Sequence, residues 1–113
     1  MSTTDQTLEQ EIQAKGKTAP RITPADIEAN IVEECYFSPV ELVRPESLRE
    51  SSPLRLLTFC VLILRNGFTV TGESACASPE NFDAELGRKV ARANAIDKVW
   101  PLMGYALKSS LNA

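Results

Sequence analysis

The sequence predicts a small α+β domain, and three observations support this class. An Asn66-Gly67 pair separates two runs rich in strand-forming residues, which is typical of a β-hairpin over residues 56–65 and 68–76. A capped helical pattern precedes the hairpin, and a longer one follows it. A chain of 113 residues has room for one domain. We therefore predict an N-terminal helix, an antiparallel hairpin with at most one or two further short strands, and a long C-terminal helix packed on the sheet.

The N-terminal part is predicted to contain a flexible tail and then a helix. Residues 1–21 have no periodic apolar pattern, so the single domain is expected to cover residues 22–113. The segment 22–37, ITPADIEANIVEECYF, is predicted to be a helix, because Thr23 can cap its first turn. Its acidic side, over residues 24–36, is a candidate surface for binding another protein.

A long loop is predicted over residues 38–53, between this helix and the hairpin. The segment contains three prolines and four serines, which favour turns over regular elements. Nothing in its pattern indicates a function.

The hairpin predicts a subunit interface. A two-residue turn would place Ile63 opposite Val70 and Val61 opposite Gly72. The first strand is apolar on both faces, so one of them needs cover that a hairpin does not supply, and we expect a homo-oligomer. The residues assigned to this interface are Leu56, Cys60, Leu62 and Leu64. Gly72 is interpreted as a bulge or a close backbone approach, since no second glycine follows at the spacing of a nucleotide-binding loop.

The C-terminal helix is predicted over residues 79–100, with Ser78 as its N-cap and Pro79 at its first position. Pro101 is expected to kink or break it, with a short terminal helix beyond. The apolar stripe expected to pack on the sheet consists of Phe82, Leu86, Val90, Ala93, Ile96 and Trp100.

The composition disfavours an enzyme, a metal site and a bound cofactor. The chain contains no histidine, which removes the commonest general base and the usual catalytic triads. Its three cysteines lack the paired spacing of a zinc site. A small enzyme that uses carboxylates or Cys76 is the weakest alternative. The chain has a net charge of −3, and neither half of it is strongly basic. Duplex nucleic acid is therefore not an expected partner. The polar N-terminus and the short apolar runs predict a cytoplasmic protein without membrane contact.

A cationic cluster near the start of the C-terminal helix is the best candidate for a ligand site. Arg88 and Arg92 lie four residues apart with like charge, an arrangement that an anion would favour, and Lys89 lies beside them. Ser78 and Asn81, at the predicted helix start, could add backbone N–H donors for the same anion. The competing interpretations are solvated arginines and a simple N-cap.

Three motifs resemble those of a known family: NGFTVTGESAC, NFDAELGRK followed by ARANAIDK, and the W-P-L-x-G-Y-x-L pattern at Trp100. Over residues 22 to about 111 the chain resembles the N-four gene-product-forty-nine-like, or Sf-six gene-product-sixty-six-like, proteins of tailed phages. The resemblance implies a phage or prophage origin, an accessory gene and a host-cell cytoplasmic location. It supplies no catalytic residues.

Two functions are predicted from these observations. The first is a non-catalytic phage accessory protein, acting in host takeover or counter-defence, that sequesters a small anionic, nucleotide-like molecule at Arg88, Lys89 and Arg92. The alternative is an inhibitor that binds a host protein through an apolar strand face or the acidic helix.

Overall fold

The computed structural model describes residues 3–17 and 19–113, without the side chain of Thr3. Its helices and strands, in chain order, are α1 (Thr3–Ala14), α2 (Pro24–Asn30), β1 (Ile31–Phe37), β2 (Leu57–Leu64), β3 (Thr69–Ala75) and α3 (Ala84–Leu111). Short 3-10 turns fill much of the connection between β1 and β2.

The fold has two layers. The three strands form one antiparallel sheet in the order β1-β2-β3, and α3 packs across one face of it. The predicted α+β class, the N-terminal helix and the long C-terminal helix on the sheet are confirmed. The predicted kink at Pro101 is not, because α3 continues through this residue to Leu111.

The helix predicted over residues 22–37 is wrong in its second half. Thr23 forms the capping box, in which its Oγ1 accepts from the Asp26 N–H (3.1 Å) and the Asp26 carboxylate accepts from the Thr23 N–H (2.9 Å). The helix ends at Asn30, and the next seven residues form β1. Residues such as Ile31 and Val32 favour extended backbone, and pairing with β2 supplies the hydrogen bonds that an isolated helical segment would lack.

The predicted hairpin register is wrong by one residue. The Leu64 N–H bonds to the Phe68 carbonyl (2.9 Å), and the Gly67 N–H bonds to the Leu64 carbonyl (2.8 Å). Gly67 adopts a φ of 88°, so the loop has three residues and ends in a left-handed glycine. A shift of one residue exchanges the faces of a strand, and Val70 lies opposite Leu62 instead of Ile63.

The interface predicted from Leu56, Cys60, Leu62 and Leu64 is corrected for the last three residues, whereas Leu56 is half-buried in a 3-10 turn before β2. Cys60, Leu62 and Leu64 are buried in the core of a single chain, beneath α3, and cannot contact a second subunit. The alternating burial of β2 shows that its other side chains point to the opposite face.

The start of α3 also differs from the prediction. Ser78 precedes a 3-10 turn and its side chain makes no capping bond, whereas Asp83 caps α3 by accepting from the Leu86 N–H (3.1 Å). The apolar stripe predicted for this helix is correct only in part: Ile96 is buried, whereas Leu86 and Val90 are exposed. The side chains buried against the sheet are Ala91, Ala95, Ile96 and Val99.

Gly72 is a site of close backbone approach, one of the two roles predicted for it. A Cβ atom at this position would collide with the backbone of α3 at Ala91 and Ala95, and would lie 2.9 Å from the Ala95 Cα. Only a glycine opposite a stripe of alanines lets the helix approach the sheet this closely.

The segment predicted to be a flexible tail contains helix α1 between Thr3 and Ala14. Its attachment involves residues distant in sequence: Arg21 bonds to Glu9, and Trp100 Nε1 donates to Asp5 (3.4 Å). Such contacts leave no periodic apolar pattern that the sequence would reveal.

Candidate binding surfaces

Arg92 lies at the centre of an ionic contact between α2, β1 and α3. Its guanidinium donates to both carboxylate oxygens of Glu28 (2.9 and 2.7 Å) and, through Nε and one terminal nitrogen, to Glu34 Oε2 (3.1 Å each). The Arg92 side chain is 21% exposed. The two carboxylates already occupy the guanidinium donors of Arg92 that were predicted to bind an anionic ligand.

The titration of these groups follows from this geometry. Hydrogen bonds from Arg92 lower the pKa of Glu28, although partial burial acts in the opposite direction. The bonds from Glu28 and then Glu34 raise the pKa of Arg92, so its charge is permanent. The cluster is a fixed ion network that fastens three elements together.

The other cations of the predicted ligand site lie beside this network. Lys89 pairs with Glu85 at 3.4 Å on the exposed side of α3. Arg88 makes no hydrogen bond or ion pair with any residue that the structure describes, and it lines a cavity of about 200 Å³ with Phe37 and Phe82. The predicted clamp thus retains one unpaired arginine rather than two.

The predicted backbone donors are not at the start of α3. Ser78 precedes the 3-10 turn Pro79–Asn81 and Asn81 is its last residue, with the Asn81 N–H bonded to the Ser78 carbonyl (3.0 Å). The helix begins three residues later, so the dipole argument applied to Ser78 and Asn81 has no helix behind it.

The three cysteines lie in different surroundings. Burial raises the pKa of the Cys60 thiol, which lies in the core. The Cys76 thiol donates to the Ser78 carbonyl (3.2 Å). Cys35 is exposed on the sheet. A thiol kept protonated by burial is a poor nucleophile.

The sheet surface opposite α3 carries a group of apolar side chains outside the core, and we call it the open face. The Phe37 and Phe59 rings stack on it with centroids 5.4 Å apart. Phe37 is 37% exposed and the outward residues of β2 are only half-buried. The register places on the open face the side chains of Glu33, Cys35, Phe37, Leu57, Phe59, Val61, Ile63, Thr69, Thr71, Glu73 and Ala75.

The open face is divided into an apolar part and a polar part. β1 and β2 supply the apolar side chains, whereas Thr69, Thr71 and Glu73 make the β3 side polar. Within the three strands, its only charged side chains are Glu33 and Glu73, one on each outer strand. The face is therefore an apolar strip between two carboxylates.

The edges of the sheet are less available than its open face. Asn94 of α3 donates to the Glu73 carbonyl (2.8 Å), which occupies one acceptor on the β3 edge. A register irregularity between Ile31 and Glu33 interrupts the β1 edge. Both features are typical of edges that avoid further strand pairing.

Several clefts adjoin α2, and two of them also contact α3. The larger, about 620 Å³, lies between α2 and the last turns of α3 and has Arg65 at its rim. The smaller, about 280 Å³, lies beneath α1. Over the described residues, no group of three or more Cys, Asp or Glu side chains is arranged to hold a metal ion. No helix in this part of the chain combines the length and hydropathy needed to span a bilayer.

The fold defines a small two-layer α+β protein with one helix-covered and one open sheet face. Residues 22–111 match the family described as Phage protein (N4 Gp49/phage Sf6 gene 66), which confirms the resemblance seen in the sequence. The chain belongs to this family of phage proteins. No curated protein and no solved structure matches it.

Proposed function

We propose that this phage protein acts by binding a host protein through the open face, without catalysing a reaction. The single observation that carries the proposal is the partly exposed apolar strip on a sheet whose other face is already filled by α3. Exposed apolar surface on a chain that has completed its core is typical of an interaction site.

The charges on the open face define the kind of partner. Glu33 and Glu73 flank the strip, and no basic residue of the three strands shares this face. A partner surface that is apolar at its centre and carries Lys or Arg at its rim would pair with both carboxylates. A second copy of the chain would bring four like charges to one interface, which is unfavourable.

The alternative of nucleotide sequestration has less support. Arg92 already binds two glutamates, Lys89 binds a third, and Ser78 and Asn81 are not at a helix start. Arg88 with its neighbouring aromatic rings remains the strongest argument for an anionic ligand. The acidic-helix surface is also reduced, because α2 ends at Asn30 and Glu28 faces Arg92.

The proposal predicts different effects for two carboxylates placed in one row of the sheet. Val61 lies at the centre of the strip and pairs across the strands with Thr71 on the polar side. We expect Val61→Glu to lose a host protein that affinity-tagged wild type captures, and Thr71→Glu to retain it. Urea unfolding of both variants checks that each is folded.

Three outcomes would contradict the proposal. If wild type, Val61→Glu and Thr71→Glu all capture the host protein equally, the open face is not its binding surface. A captured partner whose contact surface is acidic would contradict the charge argument. A wild-type dimer in sedimentation velocity that Val61→Glu converts to a monomer would make a second copy the occupant.

A further inference from the structure

A groove beneath α1 is separate from the open face. The groove is formed by Arg21, Ile22, Pro24 and Trp100, and α1 lies over it. Three of these four residues belong to the stretch that matches the phage family, whereas α1 lies before it. Most of the groove is thus built by the stretch that matches the family, whereas α1 and Arg21 precede that stretch.

The contacts of α1 follow the spacing of a helix bound in a groove. Its residues at the cleft are Asp5, Leu8, Glu9 and Ile12, at positions i, i+3, i+4 and i+7. This is the spacing by which an amphipathic helix presents one side to a receptor groove. The order along the helix is acid, apolar, acid, apolar.

The two acids make the polar contacts of the groove. Glu9 accepts two bonds from the Arg21 guanidinium (2.6 and 2.8 Å), and Asp5 Oδ2 accepts from Trp100 Nε1 (3.4 Å). Both donors belong to the groove side, so the groove selects for carboxylates on its helix.

The apolar contacts of α1 are incomplete. Leu8 is 51% exposed although it borders the cleft, and a volume of about 280 Å³ is left open there. The cleft is open to solvent and has room for side chains larger than Leu8 and Ile12. Apolar side chains that stay exposed contribute less to docking than buried ones would.

We propose that α1 is a displaceable occupant of a groove that binds an amphipathic acidic helix of another protein. The partner helix carries carboxylates at positions i and i+4, to meet Trp100 and Arg21, and bulky apolar residues at i+3 and i+7, to fill the cavity. Displacement of α1 would expose Ile22, Pro24 and Trp100 to that helix.

Trp100 is the only tryptophan of the chain, so its fluorescence reports on the groove directly. The first step of the test loosens α1 in the full-length protein with Glu9→Lys, which places a cation against Arg21. Glu11→Lys is the matched control, because Glu11 lies on the exposed side of the same helix and pairs with Lys15 (3.2 Å). We expect the Trp100 emission to move to longer wavelength in Glu9→Lys and to stay unchanged in Glu11→Lys.

The second step adds the helix from outside. The probe is a synthetic peptide of residues 3–14 in which Leu8 and Ile12 are both replaced by Phe. We expect it to restore the Trp100 emission of Glu9→Lys and to bind this variant at least ten-fold more tightly than wild type, where α1 competes. The same peptide with Lys at the position of Glu9 is expected not to bind.

Four results would overturn the proposal. They are an unchanged Trp100 emission in Glu9→Lys, an equal shift in Glu11→Lys, no response to the peptide, and tighter binding of the unmodified 3–14 sequence than of the enlarged one. A wild-type dimer whose dissociation follows Glu9→Lys would assign the groove to α1 of a second copy instead. None of these results depends on the open face, so the proposed function is tested separately.

Discussion

Arg92 joins three elements of the fold through one guanidinium. α2 supplies Glu28, β1 supplies Glu34, and α3 supplies the arginine itself. The side chains are partly exposed, so water screens the attraction and the contribution to stability is moderate. Removing the arginine would leave two carboxylates close together without a counter-charge.

The network predicts that Arg92→Ala lowers the free energy of unfolding by about 1–2 kcal/mol, as expected for a partly buried charge pair. Arg88→Ala is the matched control, one turn earlier on α3, and is expected to change the free energy by less than about 0.5 kcal/mol. Urea denaturation followed by circular dichroism measures both. Equal losses in the two variants would show that the network does not stabilise the fold.

In the cationic cluster of α3, contacts between residues close in sequence could be predicted, and contacts between distant residues could not. The i,i+4 spacing of Arg88 and Arg92 identified two neighbouring cations correctly, because local helix geometry fixes it. The partners of Arg92 lie 58 and 64 residues away, and only the packing of α3 on the sheet brings them together. A sequence pattern shows which charges exist, but not which of them the fold has already paired.

At the scale of elements, short sequence motifs correctly predicted features that depend on neighbouring residues, such as a helix cap and a turn. Thr23 and Asp26 cap α2 as their spacing indicates, and the Asn66-Gly67 pair forms a turn. The end of α2 and the hairpin register depend on tertiary pairing with β2, so no local pattern indicates them sharply. The one-residue slip explains why the apolar strip was assigned to the buried face of β2 instead of the open one.

Two glycines, one at the contact between β3 and α3 and one on the open side of α3, should respond oppositely to replacement by alanine. Gly72→Ala would force the helix away from the sheet, so we expect a loss of about 3 kcal/mol or more, as for a severely overpacked core. Gly104→Ala lies on α3 with nothing within 4 Å of the added methyl group, and it should raise stability by about 0.5–1 kcal/mol. Thermal unfolding of both variants tests this. A neutral Gly72→Ala would mean that the helix and sheet are not in close contact.

At the scale of the whole molecule, helix α1 precedes the stretch that matches the family and packs against it. The domain over residues 22–111 contains the sheet, α2 and α3, and its core is formed between the sheet and the two helices. α1 is attached to this domain through Arg21 and Trp100. The attachment is polar and the apolar contact below it is unfilled, so α1 should detach before the core unfolds.

Acidification should separate these two events. Hydrogen bonds from Arg21 and then Gln13 lower the pKa of Glu9 from its ordinary 4.5 to about 2. A carboxylate whose pKa is lowered by docking stabilises the docked state fully above its ordinary pKa, and this contribution disappears as the pH falls towards the lowered value. We therefore expect the Trp100 emission of wild type to shift between about pH 4.5 and 2.

Glu9→Gln isolates this carboxylate, because Asp5 at Trp100 and the Glu28–Arg92 network remain in both proteins. The variant should show a shifted Trp100 emission already at neutral pH and a smaller change across the acidic window. Far-UV circular dichroism over the same range follows the core. Coincident fluorescence titrations of wild type and Glu9→Gln would show that Glu9 does not hold α1, since the only group removed would then make no difference.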